Sequence, residues 1–187
     1  MNFKVKPLHV FNIAFERVIG HEGGFQDDGR DRGNWTGGVI GKGALKGTKY
    51  GISAAAYPDL DIRNLSLADA EAIYKRDYWD KVAGDKLPGA LAFQLFDYAV
   101  NSGVDRAIKA LQVVVGVKED GVLGPVTLTA VREAGVEQTH DGQVLQLVMR
   151  VLSHRLQFMA GARGWARYSK GWALRIAGNL ELGARDV

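Results

Sequence analysis

Three residues near the start of the chain have the types and spacing for acid–base chemistry on a glycosidic bond. Glu22 sits in His21-Glu22-Gly23-Gly24-Phe25, where an apolar-periodic helix gives way to glycine. A carboxylic acid there faces a glycine-rich loop, where a substrate backbone can come close. Cleaving a glycosidic bond requires a group that protonates the leaving oxygen, and an acid keeps its proton near neutral pH when apolar neighbours disfavour its charge. Phe25 and Trp35 are the neighbours available to do this. The plainer reading of Glu22 is a solvated residue at a helix end.

A second carboxylate, Asp31, follows Glu22 with eight residues between them, and Asp27 and Asp28 lie close by. An inverting hydrolase needs such a group across the cleft to position or deprotonate a water. Loop aspartates more often cap turns. Thr48, in Thr48-Lys49-Tyr50-Gly51-Ile52, brings a hydroxyl that can donate to and accept from the same water. Its ordinary role would be that of a strand residue.

The segments EGGF, DDGRDRG and TKYGI resemble the N-terminal signature of glycoside hydrolase family 108, a family of phage endolysins and related bacterial muramidases. The Glu-x8-Asp spacing and the later Thr are also similar to the Glu–Asp–Thr triad of phage lysozymes. The resemblance implies Glu22 as catalytic acid, Asp31 as the water-side carboxylate and Thr48 as the water-holding hydroxyl. It implies an N-acetylmuramidase cutting the β-1,4 bond between N-acetylmuramic acid and N-acetylglucosamine. This chain has Arg32 where the family pattern has proline, and an insertion over about Trp35–Gly47 before Thr48, so Asp27 and Asp28 stay open as alternatives to Asp31.

The resemblance continues through Tyr74–Asp80, through Phe96–Gly103, and through Ala110-Leu111-Gln112 to Asp120–Pro125 and Thr127. This stretch is similar to a segment described as a peptidoglycan domain. Lys170-Gly171-Trp172 with Arg175 resembles the family's closing K-G-W-x-x-R. Trp35, Tyr50, Asp97 and Asn101 are the candidate substrate-binding residues. Trp35 offers a stacking face within a glycine-rich insertion that could line the groove. Asp97 and Asn101 are four apart on one helix face, where they could meet a sugar or instead join an interhelical hydrogen-bond pair. Trp79 and Trp172 could stack on sugars, although burial is the commoner fate of tryptophan.

The elements that must hold these residues follow from periodicity and punctuation. Phe11, Phe15, Val18 and Ile19 mark a helix over 8–20. The glycines between Gly20 and Gly51 predict turns and a small irregular sheet. Ser66 with Asp69 predicts a capping box and a helix from Leu67 to about Trp79. Pro88 opens the next helix, Asp105 is expected to cap the one after, ending at Gly116, and Pro125 opens a fourth. Residues 141–160 form a fifth, and an amphipathic last helix is expected over about Trp165–Ala177. The fold is therefore expected to be mainly α, a helical bundle with a small β-region near the N-terminus, and the resemblance implies that it is of the α+β lysozyme-like kind. It reads as one lysozyme-like domain, with residues 1–85 as a catalytic lobe and 86–187 as a helical lobe.

Composition narrows the function. The 187 residues are 47% hydrophobic and 24% charged, enough apolar material for a core. With no cysteine, thiolate zinc sites, cysteine nucleophiles and a disulfide scaffold are excluded. The four histidines are scattered, and the zincin-like start at His21-Glu22 fails because position 25 is Phe, so neither metal nor cofactor is expected. From Arg150 onward seven basic residues face two acids, Glu181 and Asp186, within a net charge of +3. That basic end suits an anionic membrane or envelope surface. No nucleic-acid motif accompanies it.

The expected partners are peptidoglycan glycan strands, with the protein a monomer. The first residues show no apolar run long enough for a membrane span and no small-residue cleavage site after an apolar stretch, so no secretion signal is expected there. Synthesis in a host cytoplasm and release through a holin are expected. A lytic transglycosylase and a non-catalytic wall- or membrane-binding protein are the rival readings.

Overall fold

The computed structural model describes residues 7–20, 24–136 and 141–186. Among them are seven α-helices and one two-stranded antiparallel sheet, the mainly α architecture expected. The helices are α1 (Pro7–Ile19), α2 (Leu67–Tyr74), α3 (Gly89–Ser102), α4 (Val104–Val115), α5 (Pro125–Val131), α6 (Asp141–Gly161) and α7 (Trp165–Arg185). The chain divides into two compact units, Phe15–Lys75 and Met1–Ala14 with Arg76–Val187.

The smaller unit holds the sheet. β1 (Thr48–Lys49) pairs with β2 (Ile52–Ser53) in the register Thr48–Ser53 and Lys49–Ile52. The two turn residues, Tyr50 and Gly51, have φ of 51° and 75°. Such a turn matches strand twist only when both central residues are left-handed, which glycine accepts freely and tyrosine does not. The Tyr74 hydroxyl donates to the Tyr50 carbonyl at 3.1 Å and helps hold the turn. α2 begins at a full capping box. Ser66 Oγ accepts from the Asp69 amide at 3.1 Å, and Asp69 Oδ2 accepts from the Ser66 amide at 3.1 Å. The insertion is a hairpin: Trp35 and Leu45 form an antiparallel bridge, and the Thr36 amide donates to the Ala44 carbonyl at 2.9 Å. Val39 and Ile40 at its tip are exposed.

The larger unit is a helical bundle around α3, whose residues Ala90 to Ala99 are all buried. Phe11, Trp79 and Phe96 meet in tilted and edge-on pairs at 5.4–6.0 Å, geometry that suits the ring quadrupoles. Trp79 is fully buried and donates through Nε1 to Asp85 Oδ1 at 2.8 Å.

Two helix ends differ from the sequence reading. The N-cap of α4 is Gly103, with φ 95°, rather than Asp105. α3 and α4 share that single residue as their junction, so Asp105 falls inside the first turn and pairs instead with Lys109 at 2.9 Å. α7 runs two turns beyond Ala177, to Arg185. Gly178 does not stop it because the added turns make buried contacts. Gln94 Nε2 donates to the Asn179 carbonyl at 2.9 Å, and a Cβ on Gly183 would lie 2.7 Å from Val148. Close helix packing thus outweighs a local propensity cost of about 1 kcal/mol for glycine.

Candidate active site

The smaller unit contains a pocket of about 530 Å³ lined by Phe15, Glu16, Ile19, Gly20, Gly24, Lys49, Tyr50 and Leu67. Gly20 and Gly24 bracket the segment His21–Gly23. Glu22 itself lies outside the described residues. Tyr50, proposed from sequence for substrate binding, is in the wall, with Lys49 Nζ 5.3 Å from its ring centroid. Asp31 and Thr48 are not among the lining residues.

Asp31, Asp27 and Asp28 can be told apart by their partners. Asp28 is gripped by Arg30 through Nε and Nη2, at 3.0 and 2.9 Å, and the side-chain hydrogen bonds from Arg30 hold its pKa below the ordinary value. Asp27 pairs with Arg63 at 3.0 Å. Asp31 has no cationic partner among the described residues. Its Oδ1 accepts from the Gly33 amide at 2.8 Å, capping the short 3-10 turn Arg32–Asn34, and its side chain is exposed.

The last residue of that turn, Asn34, is fully buried and joins the loop to Thr48. The Thr48 hydroxyl donates to Asn34 Oδ1 at 2.7 Å. The Asn34 and Gln26 amides make a reciprocal pair, at 2.8 and 3.1 Å, and the backbones of Gln26 and Thr48 exchange bonds at 2.8 and 2.9 Å. The Asn34 carbonyl accepts from the amides of Lys46 and Gly47. One buried amide therefore ties the aspartate loop, the base of the insertion and β1 together. Sequence reasoning missed Asn34 and Gln26. Nothing in the string marks a buried asparagine except its place between two candidate residues.

Trp35 is half-buried, and its indole Nε1 donates to the Gly29 carbonyl at 2.9 Å. That bond fastens the insertion to the aspartate loop. Asp97 and Asn101 belong to the larger unit. The sequence left Asp97 either to meet a sugar or to join an interhelical hydrogen bond; the structure places it 3% exposed within α3, in interhelical bonds. Its carboxylate receives Arg155 Nη1 at 2.6 Å, Asn179 Nδ2 at 2.7 Å and the forked guanidinium of Arg175. All of its acceptor capacity is thereby taken up inside the bundle. Burial pushes the Asp97 carboxyl up, but the two arginines outweigh it and the net shift is downward. Asn101 is exposed and accepts from Ser102 Oγ at 3.1 Å.

No group of three or more metal-ligating side chains occurs among the described residues, and no described helix is long and apolar enough to cross a membrane.

The fold is mainly α and lysozyme-like with one small sheet, and its smaller unit holds a loop of aspartates tied to Thr48 through Asn34. Residues 15–103 match the family Glycosyl hydrolase 108. The chain is also similar to a solved structure, SagA of Brucella abortus, at 32% identity over 94% of each chain with a TM-score of 0.74. The chain belongs to glycosyl hydrolase family 108. Comparison with curated proteins gave no match.

Proposed function

We propose that the protein is an endolysin-type N-acetylmuramidase that hydrolyses the β-1,4 bond between N-acetylmuramic acid and N-acetylglucosamine in peptidoglycan. Family membership supports a peptidoglycan-cleaving glycosidase. Glu22 protonates the leaving glycosidic oxygen. A water attacks the anomeric carbon from the opposite face and gives its proton to Asp31, inverting the configuration. Thr48 holds that water, and Trp35 and Tyr50 contact the glycan.

The observation that carries this division of roles is that Asp27 and Asp28 are committed to Arg63 and Arg30, whereas Asp31 has an exposed carboxylate with no cationic partner among the described residues. Asp31 also caps the turn whose last residue holds Thr48.

The protein acts as a monomer, reaching the wall from a host cytoplasm through a holin, and the basic face of α7 adds attraction to anionic envelope surfaces.

Mass spectrometry of peptidoglycan digested by the wild type and by Glu22→Gln tests the reading. Reducing muramic ends from the wild type, and at least about a hundredfold less product from a folded Glu22→Gln protein, are expected. Anhydro-muramic ends would instead identify a lytic transglycosylase, and no cleavage by the wild type would leave a wall-binding protein.

A further inference from the structure

The orientation of one buried amide decides what Thr48 can offer a water. Asn34 Nδ2 lies 2.9 Å from the backbone carbonyl of Asp28. A carbonyl only accepts, so the amide face turned toward it must be the NH₂ group. The opposite face, Oδ1, is then the one facing Gln26 Nε2 at 3.1 Å and Thr48 Oγ1 at 2.7 Å. Rotating the amide by half a turn would set two oxygens against each other at 2.9 Å beside a fully buried residue, a repulsion that the Asp28 carbonyl's other hydrogen bond, from the Asp31 amide at 3.0 Å, does not relieve. Gln26 could turn with Asn34 and restore their mutual pair, but the Asp28 carbonyl cannot. A hydroxyl has one hydrogen, and opposite an amide oxygen Thr48 must spend it there. Only its lone pairs remain.

We propose that Asn34 is a positioning residue that makes Thr48 an obligate acceptor toward the attacking water. This rests on the muramidase reading above. A water that donates one hydrogen to Thr48 and the other to Asp31 keeps a lone pair free for the anomeric carbon. A hydroxyl free to donate would compete for that lone pair. Asp31 can play its part, because its Oδ1 takes the Gly33 amide while Oδ2 has no partner among the described residues.

The test is a double-mutant cycle on purified peptidoglycan, with kcat, KM and melting temperature measured for each protein. Thr48→Val should lower kcat about tenfold or more with KM little changed, and Thr48→Ser should stay within about threefold of wild type. Asn34→Ala frees the Thr48 hydrogen and should slow kcat to a similar degree. The double variant should be no slower than either single one, because a misdirected hydroxyl already contributes nothing. Asn34→Asp restores the acceptor without the donor. Its kcat should recover toward wild type while its melting temperature stays lowered.

Losses that multiply in the double variant would overturn the proposal, as would a kcat that simply follows melting temperature across Asn34→Ala and Asn34→Asp. If Asn34→Ala does not fold, Asn34→Asp decides alone: a loss as large as that of Thr48→Val overturns the idea. Multiplying losses with a slow Thr48→Val leave the muramidase reading standing and remove only the role of Asn34. A Thr48→Val protein at wild-type rate removes Thr48 from both. A wild-type rate in Glu22→Gln removes the reaction itself.

Discussion

Asp97 on α3 and Arg155 on α6 meet at 2.6 Å with almost no solvent on either side chain. Arg155 Nε and Nη2 have no hydrogen-bond partner among the described residues, so Asp97 carries most of the compensation for a buried guanidinium, with the Tyr98 ring 5.0 Å away as a weaker source. Burial lowers the pKa of Arg155 and Asp97 opposes that shift. Removing one partner of a buried pair leaves an uncompensated charge, at a cost of roughly 3–5 kcal/mol. Asp97→Ala should therefore lower the melting temperature by on the order of 10 °C. A calorimetric shift of only a degree or two would show that the pair adds little.

The same pair sets an acid limit. Although burial pushes it up, Arg175 and Arg155 hold the Asp97 carboxyl below its ordinary value of 3.8 in the folded protein. Its contribution to stability is fully present above that value and is lost as pH falls below it toward the folded pKa. Denaturant titrations should show stability falling steeply below about pH 4 in the wild type, and falling less over the same range in Asp97→Asn. Parallel acid limbs in the two proteins would place the effect in other carboxylates.

The helices were legible because their signals are local. Ser66 with Asp69, Pro88, Gly116 and Pro125 each act within one turn, and each stands at or next to a helix end. What escaped the sequence depends on distant partners. Asp97 and Asn101 share a helix face, but Asp97 is claimed by residues 58, 78 and 82 positions away. No periodicity encodes that. The last helix reads as ending near Ala177, and the packing of Asn179 and Gly183 carries it on to Arg185. At the site, the order of Glu22, Asp31 and Thr48 can be read directly, whereas Asn34 acquires meaning only when the loop folds back on β1.

Gly47 is the tightest point of that fold-back. Its φ is 82°, and a Cβ there would lie 2.5 Å from the Gln26 carbonyl oxygen and 2.7 Å from the Phe25 ring. The two backbone bonds between Gln26 and Thr48 lie directly beside it. Gly47→Ala combines a left-handed backbone with a clash against main chain and should cost about 2 kcal/mol or more. Activity on peptidoglycan should fall further than that of equally destabilised variants in α6, since the loss falls on the Thr48 bridge. Equal activity at equal stability would separate the bridge from function.

Tyr50 is a non-glycine residue held at φ 51°, where a Cβ is strained by roughly 1–2 kcal/mol. Asparagine and glycine tolerate that backbone. Tyr50→Asn should leave the melting temperature unchanged or higher. If the ring contacts the glycan, as its place in the pocket wall suggests, KM should rise several-fold while kcat changes less. A variant that is more stable and equally active would make the ring dispensable.

α7 has two faces with separable roles. Its inner stripe includes buried Ile176, Asn179 and Gly183, and it supplies Arg175 and Asn179 to Asp97. Trp165, Tyr168 and Trp172 stack along its first two turns at about 6 Å. Arg163, just before the helix, and Arg167 and Lys170 within it are exposed. Truncation before Trp165 would strip Asp97 of two of its three partners and open α3 and α6 to water, so the shortened protein should melt well below the full chain. Charge reversal at Arg163 and Arg167 touches none of the contacts to Asp97 and removes only an exposed approach of Arg167 to the Tyr168 ring, 5.4 Å from its centroid. The doubly reversed protein should keep its melting temperature and its rate on soluble glycan fragments. Its binding to vesicles of anionic lipid at low salt should fall, and the difference from wild type should vanish as salt rises and the Debye length shrinks to about 3 Å near 1 M. Vesicle binding that is indifferent to both salt and charge would transfer the attraction to the aromatic stack. A truncated protein that stays folded would show that the inner stripe does not hold the bundle.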